Sequence, residues 1–118
     1  MEIREYQYKA SRTAPSLGTK EQDCIHMILG IITEAGEVAD AFKKNIAYGK
    51  EIDWINVKEE IGDIMWYISN LAEINKWDLR EILETNIKKL EVRYPEKFTQ
   101  EAALNRDLHK ERQILESK

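Results

Sequence analysis

Apolar residues recur at intervals of three or four positions along most of the chain, which is the spacing of one face of an α-helix. Alternation of apolar and polar residues with period two, the pattern of a half-buried strand, is never sustained. Only five glycines and two prolines interrupt the sequence, which favours long helices over turns. We therefore predict an all-α fold with a four-helix-bundle core and an extra C-terminal helix.

Capping and breaking residues set the expected ends of five helices. Asp53, Asp78 and Thr99 are suitable N-caps, because their side chains can accept a hydrogen bond from a backbone N–H of the first turn. Asn56 is an alternative start for the third helix, and Pro95 stops the fourth. The predicted helices cover residues of about 3–14, 20–45, 53–75, 79–94 and 99–116.

The second predicted helix is apolar around more than half of its circumference. A helix that is apolar on so many sides is expected to be buried on more than one of them. The residues that form this broad face are Ile25, Ile28, Leu29, Ile31, Ile32, Ala35, Val38 and Phe42.

Composition narrows the class of protein. A chain of 118 residues is long enough for one domain, which we expect over residues 1–118. The net charge of −4 disfavours binding to nucleic acid, which needs a basic face. The charged N-terminus resembles no targeting segment, and the longest apolar run is too short to span a bilayer. With Cys24 as its single cysteine, the chain fits a reducing, cytoplasmic compartment.

Two acid-x-x-acid pairs lie within the apolar second and third helices. They are Glu34 with Glu37, and Glu60 with Asp63. Residues three apart lie on one face of a helix, so each pair can point at a common target. Four carboxylates around one small volume repel one another unless a cation lies between them, and Mg²⁺ prefers such oxygen ligands.

Position on the helical wheel distinguishes these acids from the charged pairs that are common on solvated helix faces. Glu60 falls within the apolar arc of its helix, whereas its neighbour Glu59 falls outside. A carboxylate buried there without a partner would be costly, and a cation would supply the partner. Gly36 and Gly62, one inside each pair, would let a ligand or another backbone approach closely.

The type of metal follows from the missing histidines. A di-iron carboxylate bundle uses a Glu-x-x-His motif, and neither His26 nor His109 follows a glutamate by three residues. Ligation by oxygen alone indicates Mg²⁺, with Mn²⁺ as the alternative.

The fourth helix carries a row of polar residues next to its apolar stripe. Asn86 stands where an apolar residue is due, and Lys89 and Arg93 follow on the same face. An asparagine in such a stripe is often a satisfied core amide, and lysine and arginine are often solvated. Beside an acidic metal site, however, this row is suited to bind the phosphates that the metal does not contact.

These motifs together resemble the all-α nucleoside triphosphate pyrophosphohydrolases of the MazG type. The signature of that family is Glu-x-x-Glu, a spacer, and then Glu-x-x-Asp. Here 22 residues separate the pair that ends at Glu37 from the pair that begins at Glu60. The later segment, with Asn86, Lys89 and Arg93, is also similar. The region from Thr99 onwards is similar to small single-domain members from phages and bacteria.

The resemblance implies a MazG-like fold and the hydrolysis of an NTP or dNTP to the monophosphate and pyrophosphate, with Mg²⁺. It also implies a homodimer, or a homotetramer built from dimers, whose sites can take residues from two subunits. A role in cleansing or controlling the nucleotide pool would follow. The metal ligands it implies are Glu34, Glu37, Glu60 and Asp63. The phosphate contacts it implies are Lys89 and Arg93, together with Asn86.

The mechanism and its rivals follow from these roles. Water would attack an α–β phosphoanhydride, with Glu37 or Glu34 as the general base. The pattern does not decide between the two.

One rival to this function is a non-catalytic helical oligomerisation or regulatory module. Another is a phosphoribosyl-ATP pyrophosphohydrolase, which has a related acidic signature.

The residues that would recognise the base are left open by the sequence. Trp66 is a candidate stacking surface, although an aromatic residue at helical spacing is more often part of a core. Further stacking candidates are Trp54, Tyr67 and Tyr6. Candidates for reading the edge of the base are Gln7, His26 and Asn70.

Overall fold

A computed structural model describes residues 1–117 of the chain, and it contains six α-helices and no β-strand within that range. The prediction of an all-α fold is confirmed. No helix in the described part is long and apolar enough to cross a membrane. The helices are α1 (Ile3–Ser11), α2 (Lys20–Tyr48), α3 (Trp54–Ile74), α4 (Leu79–Arg93), α5 (Gln100–Leu104) and α6 (Leu108–Glu116).

Within residues 1–117, a side-chain cap begins five of the six helices, Asp53, Asp78 and Thr99 among them as expected. Asp53 begins α3, where its carboxylate accepts hydrogen bonds from the backbone N–H groups of Ile55 and Asn56 at 3.1 and 3.2 Å. Asp78 caps α4 in the same way. Gly49, with a φ of 68°, ends α2 in the conformation that glycine adopts without strain.

The prediction of one continuous C-terminal helix is wrong. Thr99 caps a helix as expected, and its hydroxyl accepts from the N–H of Ala102 at 3.1 Å. That helix ends at Asn105, whose backbone is not helical, and α6 begins after Asp107. The carboxylate of Asp107 accepts from the N–H of Lys110 at 3.0 Å, so it starts a new helix where the first would otherwise continue.

The described residues form two compact units, Met1–Trp77 and 78–117. In the first unit, α3 packs against both α1 and α2. In the second unit, α4 packs against α6. The two acidic pairs lie in the first unit and the polar row of α4 lies in the second.

The Tyr67 ring of α3 packs directly against Gly30 of α2. Gly30 is buried, and a Cβ atom added to it would overlap the Tyr67 ring. Met27, one turn earlier on α2, is fully buried. The absence of a side chain at Gly30 therefore determines how close the two helices can lie.

The expectation that α2 is buried on more than one side is wrong for the single chain. In the first unit α2 packs along α3, and the residues on its other sides remain exposed. A stripe on α2, called here the α2 apolar stripe, consists of residues that are 44% to 61% exposed. Its members are Ile25, Ile28, Leu29 and Ile32.

The contact between α1 and α3 has a buried polar centre. Gln7 is 5% exposed, and its amide nitrogen donates to Glu73 Oε2 at 2.9 Å and to the carbonyl of Trp77 at 2.8 Å. Asn70 is 1% exposed and donates to the carbonyl of Ala10 at 3.3 Å. Because buried hydrogen bonds are directional, these contacts fix the position of α1 along α3.

Gly30→Ala is predicted to lower the free energy of unfolding by about 1–3 kcal/mol, because the new methyl group overlaps the Tyr67 ring. Chemical denaturation of the metal-free protein measures this change. Gly36→Ala is the matched control, since a Cβ atom there meets nothing within 4 Å. That control should raise the stability by up to about 1 kcal/mol through helix propensity. Equal stabilisation by both substitutions would contradict the close contact at Gly30.

Candidate functional site

The helices α2 and α3 bring three of the four predicted acidic ligands together. Glu34 and Glu37 lie one turn apart on α2, and Glu60 lies on α3. One carboxylate oxygen from each of the three lies within 4.8 Å of the others. This trio, called here the acidic cluster, spans the interface between the two helices.

Burial increases across the cluster towards Glu60. Glu37 is exposed, Glu34 is half-buried, and Glu60 is only 4% exposed. The Oε2 atom of Glu60 is buried and has no hydrogen-bond partner among residues 1–117. A buried carboxylate oxygen without a donor is costly, so this atom needs either a proton or a cation.

The neighbouring carboxylates raise the pKa of Glu60 to about 8. The largest cause is a hydrogen bond with Glu34 that protonation of Glu60 permits, and burial comes next. Glu37 contributes in the same direction through a similar hydrogen bond and through repulsion of like charges. At neutral pH and without a cation, the folded protein therefore holds a proton on Glu60.

Asp63, the fourth predicted ligand, lies in a second group of acids on α3. Its carboxylate, together with those of Glu59 and Glu60, offers oxygens within 4.8 Å of one another. Glu60 belongs to both groups and therefore links them. Sequence reasoning missed Glu59, because the helical wheel placed it outside the apolar arc, yet an exposed carboxylate can still reach a neighbouring ligand. The i, i+4 spacing of Glu59 and Asp63 was the available signal.

The donor atoms of both groups are carboxylate oxygens, which fit a hard divalent cation. The unpartnered Oε2 of Glu60 is the atom that such a cation would satisfy. Neither group includes a histidine. His26 instead lies edge-on to the Tyr67 ring, with 6.0 Å between the ring centroids.

The lysines one to two turns beyond Glu37 on α2 are paired with another acid. Asp40 forms ion pairs with Lys44 at 2.8 Å and with Lys43 at 3.7 Å. The Lys44 hydrogen bond is the main reason that the pKa of Asp40 lies below its ordinary value. These pairs are part of the solvated face of α2, and both lysines are directed to Asp40 and not to the acidic cluster.

Tyr6 brings α1 to the side of α3 on which Asp63 lies. Its hydroxyl is 3.5 Å from the carbonyl oxygen of Gly62. Burial, and then the negative charge of Asp63, raise the pKa of Tyr6 above its ordinary value. The phenol therefore keeps its proton and remains a hydrogen-bond donor at neutral and moderately alkaline pH.

Trp66 connects α3 to the turn that follows α1. Its indole N–H donates to the hydroxyl of Thr13 at 2.9 Å, and its ring lies perpendicular to that of Tyr67 with 5.0 Å between centroids. The side-chain amides of Gln7 and Asn70, proposed as edge readers, are buried and donate within the protein. The donors of these three residues are therefore already used in the fold.

The polar row of α4 is only partly buried in its own unit. Asn86 is exposed, whereas Lys89 and Arg93 are half-buried. The Arg93 side chain is 16% exposed, and its guanidinium donates from Nη2 to Glu111 at 2.8 Å. Arg93 is therefore held by a carboxylate of α6, which sequence reasoning did not anticipate.

Glu111 forms a buried ion-pair network with two arginines. It is 2% exposed and accepts hydrogen bonds from Arg93 and, at 2.9 and 3.2 Å, from Arg106. Hydrogen bonds from Arg106 and then Arg93 lower the pKa of Glu111 to about 2. No local pattern predicts this network, because Glu111 is 18 residues from Arg93 in sequence.

The chain is similar to known proteins over most of its length. Residues 22–98 match the MazG nucleotide pyrophosphohydrolase domain, and the matched range includes both acidic pairs and the polar row of α4. The chain is also similar to the gene 37 protein of Mycobacterium phage L5, with 32% identity over 105 residues that cover 79% of this chain and 89% of that protein. No solved structure matches the chain.

The pKa of Glu60 predicts how stability depends on pH when no metal is present. The ordinary pKa is 4.5 and the folded value is about 8, so between these values the folded protein holds a proton that the unfolded chain releases. This contribution to the free energy of unfolding is full below pH 4.5 and is lost as the pH rises through about 8. Glu60→Gln should remove the decline, as measured by denaturation in EDTA.

Glu59→Gln is the control for this experiment, since it changes the neighbouring exposed acid and leaves Glu60 in place. It should keep the decline that Glu60→Gln removes. Identical pH dependence in the wild type and Glu60→Gln would contradict the raised pKa.

Proposed function

The chain belongs to the family of MazG nucleotide pyrophosphohydrolase domains, and from this membership we propose that it hydrolyses nucleoside or deoxynucleoside triphosphates to the monophosphate and pyrophosphate. The observation that carries the proposal is the acidic cluster, in which a buried oxygen of Glu60 has no partner among residues 1–117. Such a reaction would cleanse or control the nucleotide pool. The single cysteine is consistent with action in the cytoplasm.

The proposed cofactor is Mg²⁺, with Mn²⁺ as the alternative, because all the available ligand atoms are carboxylate oxygens. Glu34, Glu37 and Glu60 would hold it, together with Asp63 through the group that it forms with Glu60. Glu59 is a further candidate from the same group. A bound cation of this kind supplies Lewis-acid polarisation and neutralises charge on the phosphates.

The general base is proposed to be Glu37 or Glu34. Both lie in the acidic cluster, and either could accept the proton of the attacking water. Glu37 is exposed, so water reaches its carboxylate directly, whereas Glu34 is half-buried. Accessibility therefore supports Glu37 as the base and Glu34 as a ligand.

Contacts to the phosphates are proposed for the polar row of α4. Lys89 and Arg93 would neutralise oxygens that the cation does not contact, and Asn86 would add a neutral donor. Glu111 holds one nitrogen of the Arg93 guanidinium, while the buried Nε atom has no hydrogen-bond partner within residues 1–117. Trp66 is proposed as a wall for the base, and because Thr13 accepts from its N–H, only the ring surface would contact the nucleotide.

A homodimer, or a homotetramer of dimers, is proposed as the assembly. Its support is the α2 apolar stripe, whose residues are 44% to 61% exposed in the single chain. Because about half of each side chain is already covered, removing the rest from water would contribute about 1 kcal/mol per residue to association. A contiguous exposed apolar patch of this kind is typical of an interaction surface.

A substrate screen tests the proposed reaction. Each NTP and dNTP is incubated with the protein and Mg²⁺, and the released product is identified as pyrophosphate or orthophosphate. Pyrophosphate is expected, and release of orthophosphate alone, with contaminating pyrophosphatase excluded, would refute the proposal. Turnover restricted to phosphoribosyl-ATP would favour the related pyrophosphohydrolase. Absence of any Mg²⁺ dependence and of any nucleotide-induced thermal shift would favour a non-catalytic module.

Glu37→Gln and Glu60→Gln are each predicted to lower kcat by at least about 100-fold, because a general base or a metal ligand is lost. Circular dichroism should show a folded protein in both cases. Glu21→Gln is the matched control, since it removes an exposed carboxylate from the first turn of α2 and should leave kcat unchanged. Full activity in either cluster variant would exclude the proposed role of that residue.

Ile32→Glu is predicted to reduce the mass of the assembly, because it places a charge in the α2 apolar stripe. Size-exclusion chromatography with light scattering measures the change. Ile55→Glu is the control: Ile55 is 81% exposed and lies on α3, outside the stripe. A monomeric wild-type protein would contradict the proposed assembly.

A further inference from the structure

Tyr6, on α1, places its hydroxyl near the acidic residues of α3. The hydroxyl lies 3.5 Å from the carbonyl oxygen of Gly62, which is at the outer limit of a hydrogen bond. Gly62 lies between Glu60 and Asp63 in sequence, and the charge of Asp63 acts on the phenol. The O–H group is therefore near the site and only weakly engaged.

The surface of α3 is open at Gly62, whose carbonyl oxygen this hydroxyl contacts. A Cβ atom added to Gly62 would meet nothing within 4 Å. A ligand oxygen could therefore approach α3 at this point and replace the long contact to the Gly62 carbonyl with a shorter one to the ligand. Tyr6 itself is only half-buried, and its contact to the Gly62 carbonyl is exposed.

The helix that carries Tyr6 is held on α3 by the residues that follow Tyr6 on α1. Gln7 donates from its buried amide to Glu73 and to the carbonyl of Trp77, and Ala10 accepts from the buried amide of Asn70. These hydrogen bonds fix α1 on α3 from the next residue onwards. A donor that is fixed before the ligand arrives loses little conformational entropy on binding.

We propose that the Tyr6 hydroxyl donates a hydrogen bond to a phosphate oxygen of the nucleotide, which adds α1 to the helices that contribute to the substrate site. A phenol suits this position because it is a neutral donor. A lysine or arginine here would instead form an ion pair with Asp63 and compete with the cation for that carboxylate. The inference rests on the proposed pyrophosphohydrolase function, since it needs a substrate that carries phosphates.

Tyr6→Phe tests the inference, because it removes the hydroxyl and keeps the ring. Binding is measured by calorimetry with Mg²⁺ and two probes: inorganic triphosphate, and the α,β-methylene analogue of the nucleotide that the screen identifies. Tyr6→Phe should weaken both affinities by about tenfold, which is the effect of one hydrogen bond to a charged acceptor. Tyr8→Phe is the matched control on α1, since Tyr8 is 64% exposed, and it should change neither affinity.

The outcomes separate the inference from the function on which it rests. Wild-type affinity for inorganic triphosphate in Tyr6→Phe would overturn the inference, and so would weakened binding of the analogue alone, which would indicate a contact to the sugar or base. A lower Tm of the ligand-free variant with unchanged affinities would overturn it too, since the hydroxyl would then be structural. If the wild-type protein binds neither probe and releases no pyrophosphate, the proposed function itself fails.

Discussion

Repulsion between the carboxylates that α2 and α3 bring together is the constraint on which the rest of the first unit depends. Glu34, Glu37 and Glu60 place oxygens within 4.8 Å of one another, and burial of Glu60 strengthens their repulsion. Without a cation, a proton on Glu60 relieves part of this repulsion, and the helices could relieve the rest by separating. They are held together one to two turns away, where Gly30 lets α2 lie directly against the Tyr67 ring. Close packing at Gly30 thus keeps the carboxylates of the acidic cluster near one another despite their repulsion.

Each of the two acidic pairs contains a glycine, Gly36 in one and Gly62 in the other. Gly36 and Gly62 have open space where a side chain would be, and each weakens its helix by about 1 kcal/mol relative to alanine. Neither is needed for helix packing, unlike Gly30. Sites that lower the stability of a fold without a packing reason are typical of functional surfaces. The open surfaces beside the acids are consistent with the approach of a ligand.

The sequence predicted those features that depend on local periodicity and capping. Asp53 and Asp78 start helices where expected, and the apolar arc of α3 correctly placed Glu60 in a buried position. Features that depend on neighbours distant in the chain were not predictable in this way. Glu111 accepts a hydrogen bond from Arg93, which is 18 residues away in sequence. The pattern of α4 alone indicated a basic face at Arg93 and gave no sign of this acidic partner. Periodicity shows which side of a helix is apolar and leaves open what covers it, which is why the exposure of α2 was not foreseen.

Two buried glutamates of this chain show that partners, and not burial, determine what a carboxylate can do. Glu60 and Glu111 are 4% and 2% exposed, yet their pKa values move in opposite directions, to about 8 and about 2. Glu111 receives hydrogen bonds from Arg93 and Arg106, so its charge is compensated within the protein and it stabilises the contact between α4 and α6. Glu60 has acids as neighbours, so its compensation has to come from a proton or from a cation that the protein does not itself supply. The first glutamate is complete as part of the fold, whereas the second needs a proton or a cation, which is the physical reason for proposing that the chemistry takes place at the acidic cluster.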